Sequence, residues 1–103
     1  MIDMKKIFIS QPMALKGVEQ IEHERELIIT LIKRTLGEEF EVIDSLIEPP
    51  ENTTNRALWC LGRSFELLSE ADFAVFSKGW QTARGCWMEH EACIRYGIPI
   101  IYI

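Results

Sequence analysis

Apolar residues along this chain follow two patterns that alternate with each other. Four short, continuous apolar runs are typical of buried strands, and they cover residues 6–10, 40–44, 73–76 and 98–103. Three longer stretches have apolar residues at helical spacing, and they cover residues 18–36, 57–68 and 85–96. Gly37 and Gly97 follow the first and third stretches as helix-ending glycines, and Asn55 precedes the second as an N-cap. The pattern therefore predicts four strands and three helices in alternation.

Strands that alternate with helices predict right-handed crossover connections and a parallel sheet covered on both faces. We expect an α/β fold of the Rossmann-like or flavodoxin-like βαβαβαβ type, with about four parallel strands and helices on both faces. The chain has 103 residues, of which 48% are apolar, so residues 1–103 are expected to form a single domain. In such sheets, ligands bind at the carboxyl ends of the strands, where the first and third strands adjoin.

The position of a polar residue at the carboxyl or the amino ends of the strands decides whether it can contact a ligand. The loop of residues 45–55 is long for so small a domain, and long loops are often functional. Asp72 opens its strand at the opposite edge of the sheet, so we interpret it as structural. The candidate ligand-binding residues lie at the carboxyl ends of the strands and in the loops that follow. They are Ser10, Gln11, Met13, Asp44, Gly79, Trp80, Arg84 and Gly85.

Glu89 is a carboxylate on the core-facing side of the third predicted helix. At about 100° per residue it falls between Ala92 and Cys93, inside the apolar arc. A buried charge must be paired, hydrogen-bonded or used, because burying it alone is costly. Free N–H groups and the dipole near a helix start favour an anion, so Glu89 can serve as an ionised nucleophile. The structural alternative is a capping-box glutamate that reaches back to Cys86.

The cysteines Cys60, Cys86 and Cys93 form no CxxC pair, and their odd number suits free thiols in a reducing compartment. Cys86, His90 and Cys93 have the spacing of a one-face metal site, so zinc is one alternative, although no fourth ligand is evident. A second alternative is a Cys86 thiolate activated by the helix N-terminus and His90. Small buried cysteines are ordinary core residues, and we expect no metal and no cofactor.

The charge of the chain argues against some classes of partner. Its 11 Lys and Arg against 16 Asp and Glu give a formal net charge of -5. Binding to nucleic acid or to a membrane surface needs clustered basic residues, so we expect neither partner. No apolar stretch approaches the roughly 20 residues of a transmembrane helix, and the chain begins directly with a strand, so we expect no signal peptide. These features predict a cytoplasmic protein.

The candidate residues together suit a planar base joined to a sugar. Trp80 offers a stacking surface, with a core or interface position as the alternative, and Gln11 offers an amide that can read a base. Arg84 and Gly85 open a helix and resemble an anion cradle for phosphate or sugar oxygens. Glu89 can attack an anomeric carbon, as carboxylates do in retaining glycoside chemistry.

The chain carries Phe8-Ile9-Ser10-Gln11-Pro12-Met13, Ala71-Asp72, Gly79-Trp80 and Ala83-Arg84-Gly85-Cys86, followed by Glu89, Ala92 and Gly97. This pattern resembles the nucleoside 2-deoxyribosyltransferase-like superfamily, and more narrowly its small members from phages and prophages. The resemblance covers nearly the whole chain and is most specific between Gly79 and Gly97. It implies that Glu89 is the nucleophile on the sugar and that Ser10 to Met13 border the base and sugar. It also implies a nucleoside or nucleotide-like ligand and a bacterial or phage-infected host cell.

Two positions depart from the family pattern. Ser64 stands where family enzymes usually have an aspartate, and Ala83 stands where the transferases often have another acid. Two functions therefore stay open. One is an enzyme of the N-glycosidic bond, either a deoxyribosyltransferase or a hydrolase, and the other is a non-catalytic protein that sequesters a nucleotide or nucleotide-derived signal in phage–host conflict. An interaction module without a small ligand is a third.

Members of this superfamily commonly complete their sites across subunits. A small domain with three tryptophans also has reason to associate. We therefore expect a homo-oligomer with Trp59 or residues 45–55 at the interface.

Overall fold

The computed structural model describes residues 4–37 and 39–103. The strands are β1 (Lys5–Ser10), β2 (Phe40–Val42), β3 (Phe73–Phe76) and β4 (Ile100–Tyr102). The helices are α1 (Val18–Leu36), α2 (Arg56–Leu68) and α3 (Arg84–Tyr96), and a short 3₁₀ turn covers Trp80–Thr82. The predicted alternation of strands and helices is confirmed. None of the helices within the described ranges has the length and apolar character needed to cross a bilayer.

The strands form one parallel sheet in the order β2-β1-β3-β4. In the register of the two inner strands, Ile7 lies opposite Phe73 and Ser10 lies opposite Phe76. The chain leaves β1 toward β2 on one side and leaves β3 toward β4 on the other. The carboxyl ends of β1 and β3 are therefore the switch point of the sheet. The predicted α/β fold of the Rossmann-like or flavodoxin-like type is confirmed.

The inner strands are buried on both faces because successive side chains of a strand point to opposite sides. On one face, β1 and β3 pack against α2 and α3 through Phe8, Ala74, Phe76, Leu68 and Cys93. On the other face they pack against α1 through Ile7, Ile9, Val75, Ile28 and Ile32. The helices therefore cover both faces of the sheet, with α1 alone on one of them.

Helix ends follow the signals predicted from the sequence. α1 covers the predicted residues 18–36. Asn55 caps α2, where its side-chain oxygen accepts the backbone N–H of Leu58 at 3.0 Å. Gly97 ends α3 with φ +74°, in the left-handed region that favours glycine.

Other boundaries were predicted wrongly by one or two residues. β2 ends at Val42 and not at residue 44, because it pairs with β1 over only three residues. β4 covers residues 100–102 and not 98–103, because only these three pair with β3. α3 begins at Arg84, one residue before the predicted start, and the 3₁₀ turn lies between β3 and α3. Strand ends depend on the register of the partner strand, which a local pattern does not contain.

Asp72 has the structural role predicted for it. Its carboxylate accepts the backbone N–H of Lys6 at 2.7 Å, and its own N–H donates to the Lys6 carbonyl at 2.8 Å. Both contacts lie at the amino end of β1, away from the switch point. The side chain therefore ties the start of β3 to the start of β1.

Candidate active site

An open cleft of about 730 Å³ lies beside the carboxyl end of β1. Its walls come from the end of β1 and the loop after it, the two ends of the loop of residues 45–55, α2 between residues 57 and 64, and the start of α3. The lining is mostly apolar, which is typical of sites for small organic molecules. Glu89 is the one acid and Arg84 the one cationic residue among the described residues that line it.

Glu89 lies on the inward side of α3 and is 8% exposed. The Ser10 hydroxyl, at the end of β1, donates a hydrogen bond of 2.7 Å to Oε1 of Glu89. Burial raises the pKa of Glu89 to about 7, although the hydroxyls of Ser10 and Ser64 and the charge of Arg25 all act to lower it. The carboxyl group therefore titrates near neutral pH, where a nucleophile or a general base is useful.

The capping-box alternative for Glu89 is wrong. The N-cap of α3 is Ala83, which makes no side-chain cap, and Glu89 lies six residues later. Its carboxylate bonds to Ser10 of β1 and not to the backbone of its own first turn. Glu89 is thus held across the switch point by a different element.

Five of the predicted ligand-binding residues line the same cleft as Glu89. They are Ser10, Gln11, Met13, Arg84 and Gly85. The amide group of Gln11, however, is already engaged within the protein. Its nitrogen donates to the Ile21 carbonyl at 3.1 Å, and its oxygen accepts from Nε of Arg25 at 2.7 Å. Gln11 is therefore held against α1 rather than turned freely toward the cleft.

Gly79 and Trp80 do not line the Glu89 cleft. They border a separate cavity of about 510 Å³ beside the ends of β3 and β4. The Trp80 ring stacks on His90, with ring centroids 3.9 Å apart and planes 18° apart, and it also packs near Phe76 and Tyr102. The loop after β3 adjoins both β1 and β4. Because Trp80 packs against Phe76, His90 and Tyr102, its ring points toward β4. The structure therefore does not bring Trp80 together with Glu89.

Asp44 also lies outside the cleft. It is exposed, and its Oδ1 accepts the backbone N–H of Leu46 at 3.2 Å. An aspartate that bonds a backbone N–H two residues on forms a local turn. Because β2 ends before Asp44, this residue belongs to the loop and not to the strand end from which it was predicted to face a ligand.

The pKa values of the cysteines and the contacts of His90 oppose both the zinc site and the activated Cys86 thiolate. Burial raises the pKa of Cys86, and it raises the pKa of Cys93 to about 11, so neither thiol is activated. The His90 ring stacks on Trp80 and hydrogen-bonds to the Tyr102 hydroxyl. Within residues 4–37 and 39–103, no three His, Cys, Asp or Glu side chains are grouped so that they could hold a metal ion.

The cysteines are expected to be structural. Replacing Cys93 by Ala should lower the free energy of unfolding by on the order of 1 kcal/mol, because Cys93 is 1% exposed in the core. Replacing Cys86 by Ser should leave ligand binding unchanged. Urea unfolding and calorimetry measure the two effects. Stoichiometric zinc in the purified protein, or loss of ligand binding in the Cys86→Ser variant, would contradict this expectation.

Sequence reasoning missed three residues near Glu89: Arg25, Ser45 and Ser64. A signal for Arg25 was present, because it follows Ile21 by four residues and precedes Ile28 by three on the inward stripe of α1. Ser64 was noted only as a departure from the family pattern, yet it lines the cleft and its hydroxyl acts on Glu89. Ser45 is buried beside Arg25 and carries no recognisable signal.

The cleft joins residues from both sides of the switch point, since Ser10 ends β1 and Glu89 follows β3 through α3. Comparisons with protein-family models, with curated proteins and with solved structures found no match to this chain. The function of this chain is therefore inferred from the geometry of the cleft and from the motifs along the sequence.

Proposed function

We propose that this protein acts on the N-glycosidic bond of a nucleoside or nucleotide, with Glu89 as the nucleophile. The observation that carries the proposal is the Glu89 carboxyl group, buried at the edge of a cleft and held by Ser10 at 2.7 Å. A fixed carboxylate beside a space of this size is what the covalent route of retaining glycoside chemistry needs. The motifs that resemble the nucleoside 2-deoxyribosyltransferase-like superfamily assign the same role to Glu89.

The proposed reaction has two displacement steps. A Glu89 carboxylate oxygen forms a bond to the anomeric carbon, and the carbon–nitrogen bond breaks with its electron pair going to the base, which takes up a proton from water. The sugar is then an ester of Glu89. In a hydrolase water attacks the anomeric carbon, and in a transferase the nitrogen of a second base attacks it. In either case the attacking group loses a proton to solvent, the bond from the anomeric carbon to Glu89 breaks, and its electron pair returns to the carboxylate.

Ligand recognition in this proposal is divided between the start of α3 and the apolar side chains of the cleft. Arg84 and the backbone N–H of Gly85 lie in the first turn of α3, where cationic charge and the helix dipole favour phosphate or sugar oxygens. The base would lie against apolar side chains of the lining, including Met13, Leu58 and Met88. Trp80 has no part in this site, because it borders the other cavity.

Mass spectrometry of the intact protein tests the proposal directly. The protein is mixed with a panel of nucleosides and nucleotides, quenched with acid, and weighed, while free base is measured by chromatography. A covalent adduct of one sugar, mapped to a peptide that contains Glu89, is the expected result. Absence of both free base and adduct across the panel would contradict the enzymatic proposal.

A specific observation favours a second candidate, a non-catalytic binder of a nucleotide or nucleotide-derived signal. No second carboxylate and no histidine belongs to the described lining of the cleft, so no evident acid can protonate a departing base. Ser64 and Ala83 occupy the positions at which family enzymes carry additional acids. Incubation with a cell extract, followed by mass spectrometry of what is retained, separates the candidates, because a sequestering protein returns its ligand intact.

We also propose that the protein is a homo-oligomer. Trp59 is 38% exposed on α2, and Leu58 beside it is 62% exposed at the mouth of the cleft. Exposed apolar residues that adjoin a site often mark an interface. Trp59 itself does not line the cleft, so its substitution tests association without changing the site.

Replacing Trp59 by Glu is expected to convert an oligomer into a monomer. The charge would have to be buried without a partner in the interface, which is costly. Light scattering at micromolar concentration measures the mass of both proteins. A monomeric wild-type protein would contradict the proposed association, and an unchanged oligomer in the Trp59→Glu variant would place the interface elsewhere.

A further inference from the structure

Buried polar side chains gather at the end of β1. Among the described residues, those classed as buried and polar or charged are Ser10, Gln11, Arg25, Ser45 and Glu89. Alternation along the strand sends Ser10 toward α3, where it holds Glu89, and sends Gln11 toward α1, where it holds Arg25. The buried cluster thus contains one anion and one cation on opposite sides of the same strand end.

Arg25 is 7% exposed and is bound only by neutral acceptors. Its Nε donates to Oε1 of Gln11 at 2.7 Å, and its Nη2 donates to Oγ of Ser45 at 3.1 Å and to the Ile9 carbonyl at 3.4 Å. None of the ion pairs among the described residues includes Arg25. Its positive charge is therefore not cancelled by a contacting carboxylate and acts on its surroundings.

We propose that Arg25 is a positioning residue for Glu89. Arg25 stabilises the ionised carboxylate of Glu89 across the end of β1, and it fixes the segment of the chain that carries Ser10. The carboxylate's role as nucleophile rests on the proposed function, whereas the electrostatic link between the two residues does not. Arg25 lies on the α1 face of the sheet and does not itself line the cleft. It acts on the cleft through Glu89 and through Gln11 and Ser45, two lining side chains that it holds.

The other ionisable groups near this pair are few. Asp44, beyond β2, acts on Arg25 and is exposed to solvent. Cys86 and Cys93 lie on α3 beside Glu89, and burial raises the pKa of both thiols, which keeps them neutral. From α2, only the Ser64 hydroxyl acts on Glu89. Lys16, in the loop after β1, is paired with Glu24 at 2.9 Å.

The charge of Arg25 favours both steps of the proposed reaction. Its charge favours the ionised carboxylate, so it increases the fraction of Glu89 that is ready to attack near neutral pH. The sugar ester of Glu89 is neutral and gains nothing from that charge. The same interaction therefore favours breakdown of the ester, which returns the carboxylate.

A titration of Glu89 tests this role without any substrate. Protein labelled with ¹³C at the glutamate side-chain carboxyl is titrated by NMR, and the Glu89 signal is assigned by its loss in the Glu89→Gln variant. Arg25→Met should raise the Glu89 pKa, so that a smaller fraction of Glu89 is ionised near pH 7. Arg25→Lys should restore most of the wild-type value. Arg34→Met, which removes an exposed arginine of the same helix, should leave it unchanged.

Two results would overturn the proposal. One is an unchanged Glu89 pKa in folded Arg25→Met. The other is a shift of the Glu89 pKa in Arg25→Lys as large as that in Arg25→Met, because it would assign the effect to hydrogen-bond geometry and not to charge. If Arg25→Met fails to fold, Arg25→Gln is titrated instead, because it keeps hydrogen-bond donors while removing the charge, and a wild-type pKa there overturns the proposal equally. Failure of the N-glycosidic proposal would appear as absent base release and would leave this titration unaffected.

Discussion

Glu89→Gln is expected to lower release or exchange of the base by at least about 1000-fold while the fold is retained. An amide has almost the same shape as a carboxylate and can still accept the Ser10 hydroxyl, but it does not form a bond to an anomeric carbon. Chromatography of free base measures the loss, and circular dichroism shows that the fold is kept. Turnover equal to that of the wild-type protein would remove Glu89 from the reaction.

Glu91→Gln is the matched control for this experiment. Glu91 lies on the same helix, two residues from Glu89, but it does not line the cleft and instead pairs with Arg95 at 3.0 Å. Its substitution should leave turnover close to the wild-type value. An equal loss in both variants would point to damage of α3 and not to a catalytic carboxylate.

Glu89→Gln is also expected to stabilise the folded protein at alkaline pH. In the folded state the pKa of Glu89 is raised from 4.5 to about 7 by burial, so the folded protein holds this proton more tightly than the unfolded chain does. As pH rises through the window from 4.5 to about 7, the unfolded chain ionises first, and stability falls. Above that window the cost of a buried ionised carboxylate is fully present.

The glutamine has no proton to lose, so the Glu89→Gln variant avoids this cost. The difference in the free energy of unfolding between variant and wild type should be near zero at pH 4 and grow to at most about 3 kcal/mol at pH 8. Urea unfolding of both proteins at several pH values measures it. A difference that does not change with pH, or a variant that is less stable at pH 8, would contradict the raised pKa.

Much of the fold is encoded in local patterns that could be interpreted directly. α1 was predicted to its last residue because its apolar spacing is regular and Gly37 follows it. The Asn55 cap and the Gly97 end were predicted for the same kind of reason, since each depends on a few neighbouring residues. The ends of β2 and β4 could not be predicted in this way, because they depend on how far a partner strand extends.

The candidate site shows the same division between local and tertiary information. Glu89 could be singled out because a charge inside an apolar arc is a local anomaly, and Ser10 followed from the rule for strand ends. Trp80 could not be placed, because its direction depends on packing against Phe76, His90 and Tyr102, which come from three separate elements. Arg25 is the same kind of anomaly as Glu89, and only its partners in the structure reveal its importance.

The position of Ser10 in β1 links the chemistry of the cleft to cooperative unfolding. The Ser10 carbonyl accepts the N–H of Ser77 after β3 at 3.1 Å, while its hydroxyl holds Glu89. The Ser10–Glu89 contact is therefore attached to the innermost pair of strands, and we expect amide protons there to exchange only when the whole sheet opens. A proteolytic cut in the outer loop of residues 45–55 would then leave the Ser10–Glu89 contact in place for as long as β1 stays paired with β3.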